Sequence, residues 1–259
     1  MSIWGKIVGG AAGFALGGPL GALVGGLAGH AVDMFRDTVS AQIAERPADQ
    51  DQAAAEAPTD DATRSIAFTI GVIVLGAKMA KVDGVVTRDE IAAFREVFQV
   101  PPEEVKNVGR IFNQARRDAR GFEPYARQLG RMFRDRPQVL EQLMRGLFHI
   151  ARADGTVDEA ELGYLEGVAL ALGFDKTQWE QLRNAETGSP LEDPYAVLGV
   201  PRTADNDTIR ATWRRLAVEN HPDRLIAQGL PEEAVSLANE KLARINQAYD
   251  TIRRQRGLS

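Results

Sequence analysis

From Ile7 to Val32 the chain runs 26 residues without an Asp, Glu, Lys or Arg, and Gly9, Gly13, Gly17, Gly21, Gly25 and Gly29 recur at every fourth position. As a helix this stretch would reach about 39 Å, more than the roughly 30 Å hydrocarbon core of a bilayer. The spacing lines one stripe of that helix with glycines, where two backbones can approach closely. It predicts a short tail over 1–6 and a transmembrane helix over 7–32 that self-associates. Pro19 interrupts the pattern, as membrane helices tolerate. Two other readings fit the same residues. One is a signal peptide with Gly29-His30-Ala31 as a small-x-small cleavage site; the other is a Gly-rich hairpin turning at Gly18-Pro19. The flanking charges, Lys6 against Arg36 and Arg46, leave orientation open.

Apolar periodicity then lapses. Between Glu45 and Asp61 stand six acids, one base, Pro47, Pro58 and an Ala run, so 33–63 reads as a solvated linker. It resumes over 64–184 with helical spacing. The uncharged run Ser65–Ala77, 13 residues long, is too short to span a bilayer and reads as a buried core helix. Helices are predicted over 87–99, 102–118, 123–135, 137–153, 158–172 and 175–184. Pro101-Pro102, Pro137 and Gly173 mark the breaks, with Pro102 and Pro137 in first turns. No strand-like alternation is sustained anywhere, so the fold class is all-α.

An internal repeat lies in this region. Asp83-Gly84-Val85-Val86 followed by Glu90 matches Asp154-Gly155-Thr156-Val157 followed by Glu161, 71 residues further on. The pattern imitates the second half of an EF-hand loop, but Met79 and Lys81, and Ile150 and Arg152, stand where the leading carboxylates belong. Asp83, Glu90, Asp154 and Glu161 are therefore weak candidate metal ligands. The preferred reading is structural: Gly ends one helix and the acids cap the next. His149, between Phe148 and Ile150, reads as a core or boundary residue.

Residues 185–192 form a second, short linker, and 193–259 a second helical unit. Asp193-Pro194-Tyr195-Ala196-Val197-Leu198-Gly199 makes a helical turn closed by Gly. A helix over about 205–220 carries Ile209, Trp213 and Leu216 on one face and Arg210 and Arg214 on another, with Arg215 alongside. It stops at His221-Pro222-Asp223, since the residue before proline is pushed out of the α region. In the next helix Val235, Ala238, Leu242, Ile245, Tyr249 and Ile252 are spaced 3, 4, 3, 4, 3, the pattern of antiparallel packing on a partner helix.

Composition narrows the chemistry. Of 259 residues, 44% are apolar and 26% charged, as in folded soluble proteins. Cysteine is absent, which excludes disulfides, thiolate nucleophiles and Cys-ligated metals. With three histidines, no phosphate loop and no HExxH, nothing points to an enzyme or a cofactor. The net charge of −5 gives no footprint for nucleic acid.

Residues 64–184, with their paired Asp-Gly loops, resemble the TerB-type helical domain. That family's acidic loops have been associated with metal binding, and Asp83, Glu90, Asp154 and Glu161 are the matching residues. Residues 193 to about 255 resemble the J domain of DnaJ-family co-chaperones. This implies that His221, Pro222 and Asp223, with the basic residues Arg210, Arg214 and Arg215, contact a DnaK-type ATPase and stimulate its ATP hydrolysis. Three departures stand out: Trp213 for the usual Tyr, Asn220 for an aromatic, and an extension over Arg224–Pro231. The whole arrangement is similar to the DjlA-type family of membrane-anchored DnaJ-like co-chaperones. It implies an inner-membrane protein; the cytoplasmic location of DnaK and its ATP would place the TerB and J domains in the cytoplasm and the N-terminus outside, and the glycine stripe predicts a homodimer. The competing reading is a metal- or envelope-stress-sensing protein centred on TerB, with the J domain as accessory. The short 185–192 connection argues against independent motion of the two domains.

Overall fold

The computed structural model describes residues 16–32, 61–80, 88–153, 155, 157–188 and 193–257. Among them every regular element is helical. In chain order these are α1 Gly18–Val32, α2 Asp61–Met79, α3 Arg88–Val97, α4 Val105–Arg117, α5 Glu123–Met132, α6 Pro137–Ala151, α7 Glu159–Leu172 and α8 Lys176–Thr187. There follow α9 Pro194–Leu198, α10 Asn206–Glu219, α11 Pro222–Ile226, a 3-10 turn Glu232–Ala234 and α12 Val235–Gln255.

The uncharged run becomes the centre of the larger bundle. Every residue from Ile66 to Met79 is buried, because α4, α5 and α6 surround α2. Among the described residues α2 is the one helix long and apolar enough to cross a membrane, and it lies inside the fold. A helix apolar on all sides belongs in such a position. Gly71 sets the crossing with α5: a Cβ there would stand 2.6 Å from the Leu129 side chain. The buried Tyr164 hydroxyl donates to the Leu75 carbonyl at 2.7 Å and ties α7 to α2.

Polar residues set the helix ends. Asp158 and Glu161 form a capping box at the start of α7, and Asp175 and Gln178 form another at α8. Gly173 closes α7 with a left-handed φ of 104°. Pro102 does not enter α4 as expected but precedes it with Pro101 in a turn, where Glu104 N–H donates to the Pro101 carbonyl. Helix α8 continues to Thr187, three residues into the stretch read as linker.

The glycine segment departs from the expected single helix over 7–32. Gly17 and Gly18 both have φ of +54°, so the backbone is left-handed there and α1 starts afresh at Gly18. Its 15 residues reach about 22 Å, short of a bilayer core. Leu16, Leu20, Leu23 and Val24 join the core of the larger bundle, where α1 packs on α4 and α5. The Gln128 side chain holds the break: its Oε1 accepts from Leu20 N–H at 2.9 Å, and its Nε2 donates to the Leu16 and Gly17 carbonyls at 3.0 Å. One amide thus serves the Leu16 carbonyl and the Leu20 N–H, which the interrupted helix leaves open, and also reaches the Gly17 carbonyl, which accepts from Gly21 N–H at 2.9 Å as well. Gly17 lies in the break rather than on a stripe, Gly21 is buried against the chain's own bundle, and Gly25 is exposed. Gly9 and Gly13 lie outside the described residues.

A second polar strap closes the other end of α2. The Lys78 ammonium donates to the Asp118 and Arg120 carbonyls at 2.8 and 2.5 Å and lies 5.6 Å from the Tyr125 ring centroid. Desolvation pushes the Asp118 carboxyl up, but hydrogen bonds from Arg120 and from the Tyr125 hydroxyl outweigh it and hold the pKa down at about 2, against an ordinary 3.8. A depressed folded-state pKa contributes stability that is complete above 3.8 and is lost as the pH falls toward about 2. Asp118→Asn should therefore lower the thermal midpoint at neutral pH and flatten its decline across that acid window. Thermal melts taken through the window check this; an unchanged acid slope would show that Asp118 carries none of it.

The C-terminal unit has a small core of its own: Tyr195, Leu198, Ile209, Ile245, Ala248, Tyr249 and Ile252. Helix α12 belongs to both cores, because Leu237 and Ala238 near its start lie in the larger one. The two units form one continuous body through this helix.

Candidate functional site

The site grows from the end of α10. Asp205 accepts from Thr208 N–H at 2.7 Å and starts the helix. Trp213 stacks on Tyr249 of α12, ring centroids 4.3 Å apart and planes 8° apart, while its Nε1 donates to Asn246 at 2.9 Å. The indole therefore clamps the helical pair with both ring and N–H. Arg256 ties the far end of α12 to the start of the unit, reaching the Tyr195 hydroxyl at 2.9 Å and the Ala204 carbonyl at 2.7 Å.

Asn220 is 1% exposed and its Nδ2 donates to the Leu216 carbonyl at 2.8 Å. It closes α10 in the place where the resemblance leads one to expect an aromatic. His221-Pro222-Asp223 is not a plain loop. Pro222 opens α11, and His221 is its N-cap, with Nδ1 accepting from Asp223 N–H at 3.3 Å. Nε2 has no hydrogen-bond partner among the described residues. The side chains of His221 and Asp223 are 53% and 89% exposed, with His221 Nδ1 3.8 Å from Asp223 Oδ2.

The arginines on α10 differ. Arg210 lies 3.7 Å from Asp207 and Arg215 pairs with Glu219 at 2.8 Å. Arg214 is exposed and makes no ion pair with any described residue. The tripeptide thus follows directly on the basic helix, starting two residues after α10 ends at Glu219.

The extension after the tripeptide docks the unit on the larger bundle. Leu225 and Leu230 are buried in the larger core, and each such burial is worth roughly 1.5–3 kcal/mol. Arg136 spans from the Asp61 carboxylate at 2.9 Å to the Gln228 carbonyl at 2.8 Å. Gly229 has φ of +100°, and a Cβ there would stand 2.7 Å from Arg64 Cβ. Further along, Lys241 pairs with Glu141 and is largely desolvated, which lowers its pKa against the pull of Glu141. Glu186, its side chain 2% exposed, pairs with Arg145 and Arg152 at 2.8 Å and with Arg244 of α12 at 3.4 Å. Sequence reasoning assigned none of these residues. Glu186 fell within the stretch read as linker, and the cations of α12 carried no spacing that names a partner.

The candidate metal loops are only partly described. Glu161 is 7% exposed and its Oε2 accepts from Asp158 N–H at 2.9 Å, so its carboxylate serves the helix cap. Asp83 and Asp154 lie outside the described residues, and the description does not extend to the side chain of Glu90. His149 sits half-buried at a cleft edge beside Arg152.

Comparison with known proteins places these features in a family. Residues 1–50 match the family model for the co-chaperone DjlA transmembrane domain. Residues 69–184 match that for the tellurite resistance protein TerB, and residues 193–256 that for the DnaJ domain. The co-chaperone protein DjlA of Photobacterium profundum is 30% identical over 286 aligned positions, covering 98% of this chain and 99% of the relative. That of Coxiella burnetii is 29% identical, with 98% of each chain covered, and that of Escherichia coli K12 is 27% identical, with 99% of each covered. No solved structure matches. Transmembrane, TerB and J domains in that order, aligned end to end with such relatives, show that the chain belongs to the DjlA co-chaperone family.

Proposed function

We propose that this chain recruits a DnaK-type chaperone to the membrane and stimulates its ATP hydrolysis through His221, Pro222 and Asp223. The observation that carries the reading is the exposure of His221 and Asp223 at the N-terminus of α11, directly after the arginine-bearing α10. The partner performs the chemistry; this chain supplies contacts that change its rate. Because ATP and the partner are cytoplasmic, the TerB and J domains lie on that side of the inner membrane. Single-turnover ATP hydrolysis by DnaK, with and without the full chain in neutral detergent, tests it. A rate that rises with chain concentration and saturates is expected; a rate equal to DnaK alone would sink it.

The TerB loops are read as structural, because Glu161 is committed to its capping box. Calorimetric titration of the full chain with calcium should show no tight stoichiometric binding. Tight binding abolished by Asp83→Ala with Asp154→Ala would instead assign the loops to metal.

A further inference from the structure

A cleft of about 400 Å³ lies between α5 and the turn joining α7 to α8. Arg127, Arg131 and Arg134 line it together with Leu140, Leu172 and Phe174. Arg127 and Arg131, four apart, share one face of α5, and Arg134 follows in the turn just after the helix ends at Met132. All three are exposed, and none pairs with an acid among the described residues. No carboxylate lines the cleft; the nearest in sequence, Asp135, lies 3.6 Å from Arg136. Leu140 and Leu172, at 5% and 3% exposure, give the cleft an apolar floor. A small free anion would use the rim alone, whereas an amphiphile with an anionic head would use rim and floor together.

The position of α5 indicates the source of such an amphiphile. Gln128, one residue from Arg127, holds the Leu16–Leu20 backbone of the segment matched to the family's transmembrane domain. At about 100° per residue, Arg127 and Arg131 lie roughly a quarter turn or less from Gln128 around the helix. The arginine row is therefore next to the side on which the membrane segment is clasped. We propose that Arg127, Arg131 and Arg134 bind the phosphate heads of anionic phospholipids, with the cleft floor receiving the first part of the lipid chain. The proposal rests on the membrane-anchored reading of residues 1–50.

The chain has no cysteine, so Thr177→Cys, exposed on α8 beside the cleft residue Gln178, gives a single labelling position. The full chain carrying a fluorophore there is placed in nanodiscs containing head-group spin-labelled phosphatidylglycerol or, at equal mole fraction, phosphatidylcholine. Quenching should favour phosphatidylglycerol by about fivefold or more, since each cation near a lipid surface contributes on the scale of a fivefold factor. The preference should vanish in Arg127→Gln/Arg131→Gln/Arg134→Gln, whose thermal midpoint should stay that of the parent because the side chains are exposed. Equal quenching by both lipids, or a preference that survives the triple change, overturns the proposal. Inorganic phosphate that erases the preference where chloride of equal ionic strength does not would assign the rim to a free anion and also overturn it. Failure of the membrane reading has a separate signature: the chain would not co-migrate with nanodiscs of either composition.

Discussion

His221→Gln should reduce DnaK stimulation to the unassisted rate while leaving the helical fold in place. His221 is an exposed N-cap of a five-residue helix, and losing a cap costs about 1 kcal/mol. Such a cost alters the melting curve slightly and unfolds nothing. The contact geometry is a different matter. With Nδ1 engaged by Asp223 N–H, only Nε2 remains to meet the partner, and Gln cannot place an N–H there while capping α11 in the same way. Arg214→Glu should act differently, by reversing the one α10 guanidinium of the three that is unpaired among the described residues. Its effect should appear as weaker association that narrows toward the parent as salt rises, because steering between exposed charges is screened over about 10 Å. Single-turnover ATPase assays over a range of chain and salt concentrations separate the two. Full stimulation by the His221→Gln chain would remove the tripeptide from the mechanism.

The largest stability loss is expected from Glu186→Gln. This carboxylate is 2% exposed and is shared by Arg145, Arg152 and Arg244. Gln preserves the shape but leaves Arg145, itself 7% exposed, as a buried charge without its counter-charge. Removing one partner of a buried pair typically costs about 3–5 kcal/mol, which for a chain of this size lowers the thermal midpoint by about 10 °C. Scanning calorimetry reads this directly. Because Arg244 belongs to α12 and Glu186 to α8, the loss should also broaden the transition as the C-terminal unit loosens from the bundle. A midpoint within about one degree of the parent would mean the arginines find other partners.

The helices, their breaks and the exposed tripeptide were legible because each is written locally. Asp-capped starts, Gly and Pro stops and apolar spacing need no knowledge of what lies across the fold. Partnership was not written in that way. The residues Val235, Ala238, Leu242, Ile245, Tyr249 and Ile252 read as one stripe for one partner, yet Ala238 faces the larger core and Ile245 the smaller. Periodicity specifies a face and is silent on what covers it. Leu237, off that stripe, is buried all the same. The break within the glycine segment was hidden for another reason. Glycine every fourth residue fits a helix stripe, but glycine also reaches positive φ without cost, and Gly17 and Gly18 use that freedom. The role of Gln128 arises only once the break before α1 brings the Leu16 carbonyl and the Leu20 N–H beside it.

The docked extension has a consequence for module exchange. A J domain that ends its tripeptide turn in the usual few residues could be spliced in at 193 and would carry His, Pro and Asp in register. It would bring no counterpart of Leu225, Gly229 or Leu230, and Phe133 and Arg64, which meet that loop here, would face water. Such a chimera would keep its tripeptide and lose its seat, so the two modules are expected to exchange successfully only as a matched pair.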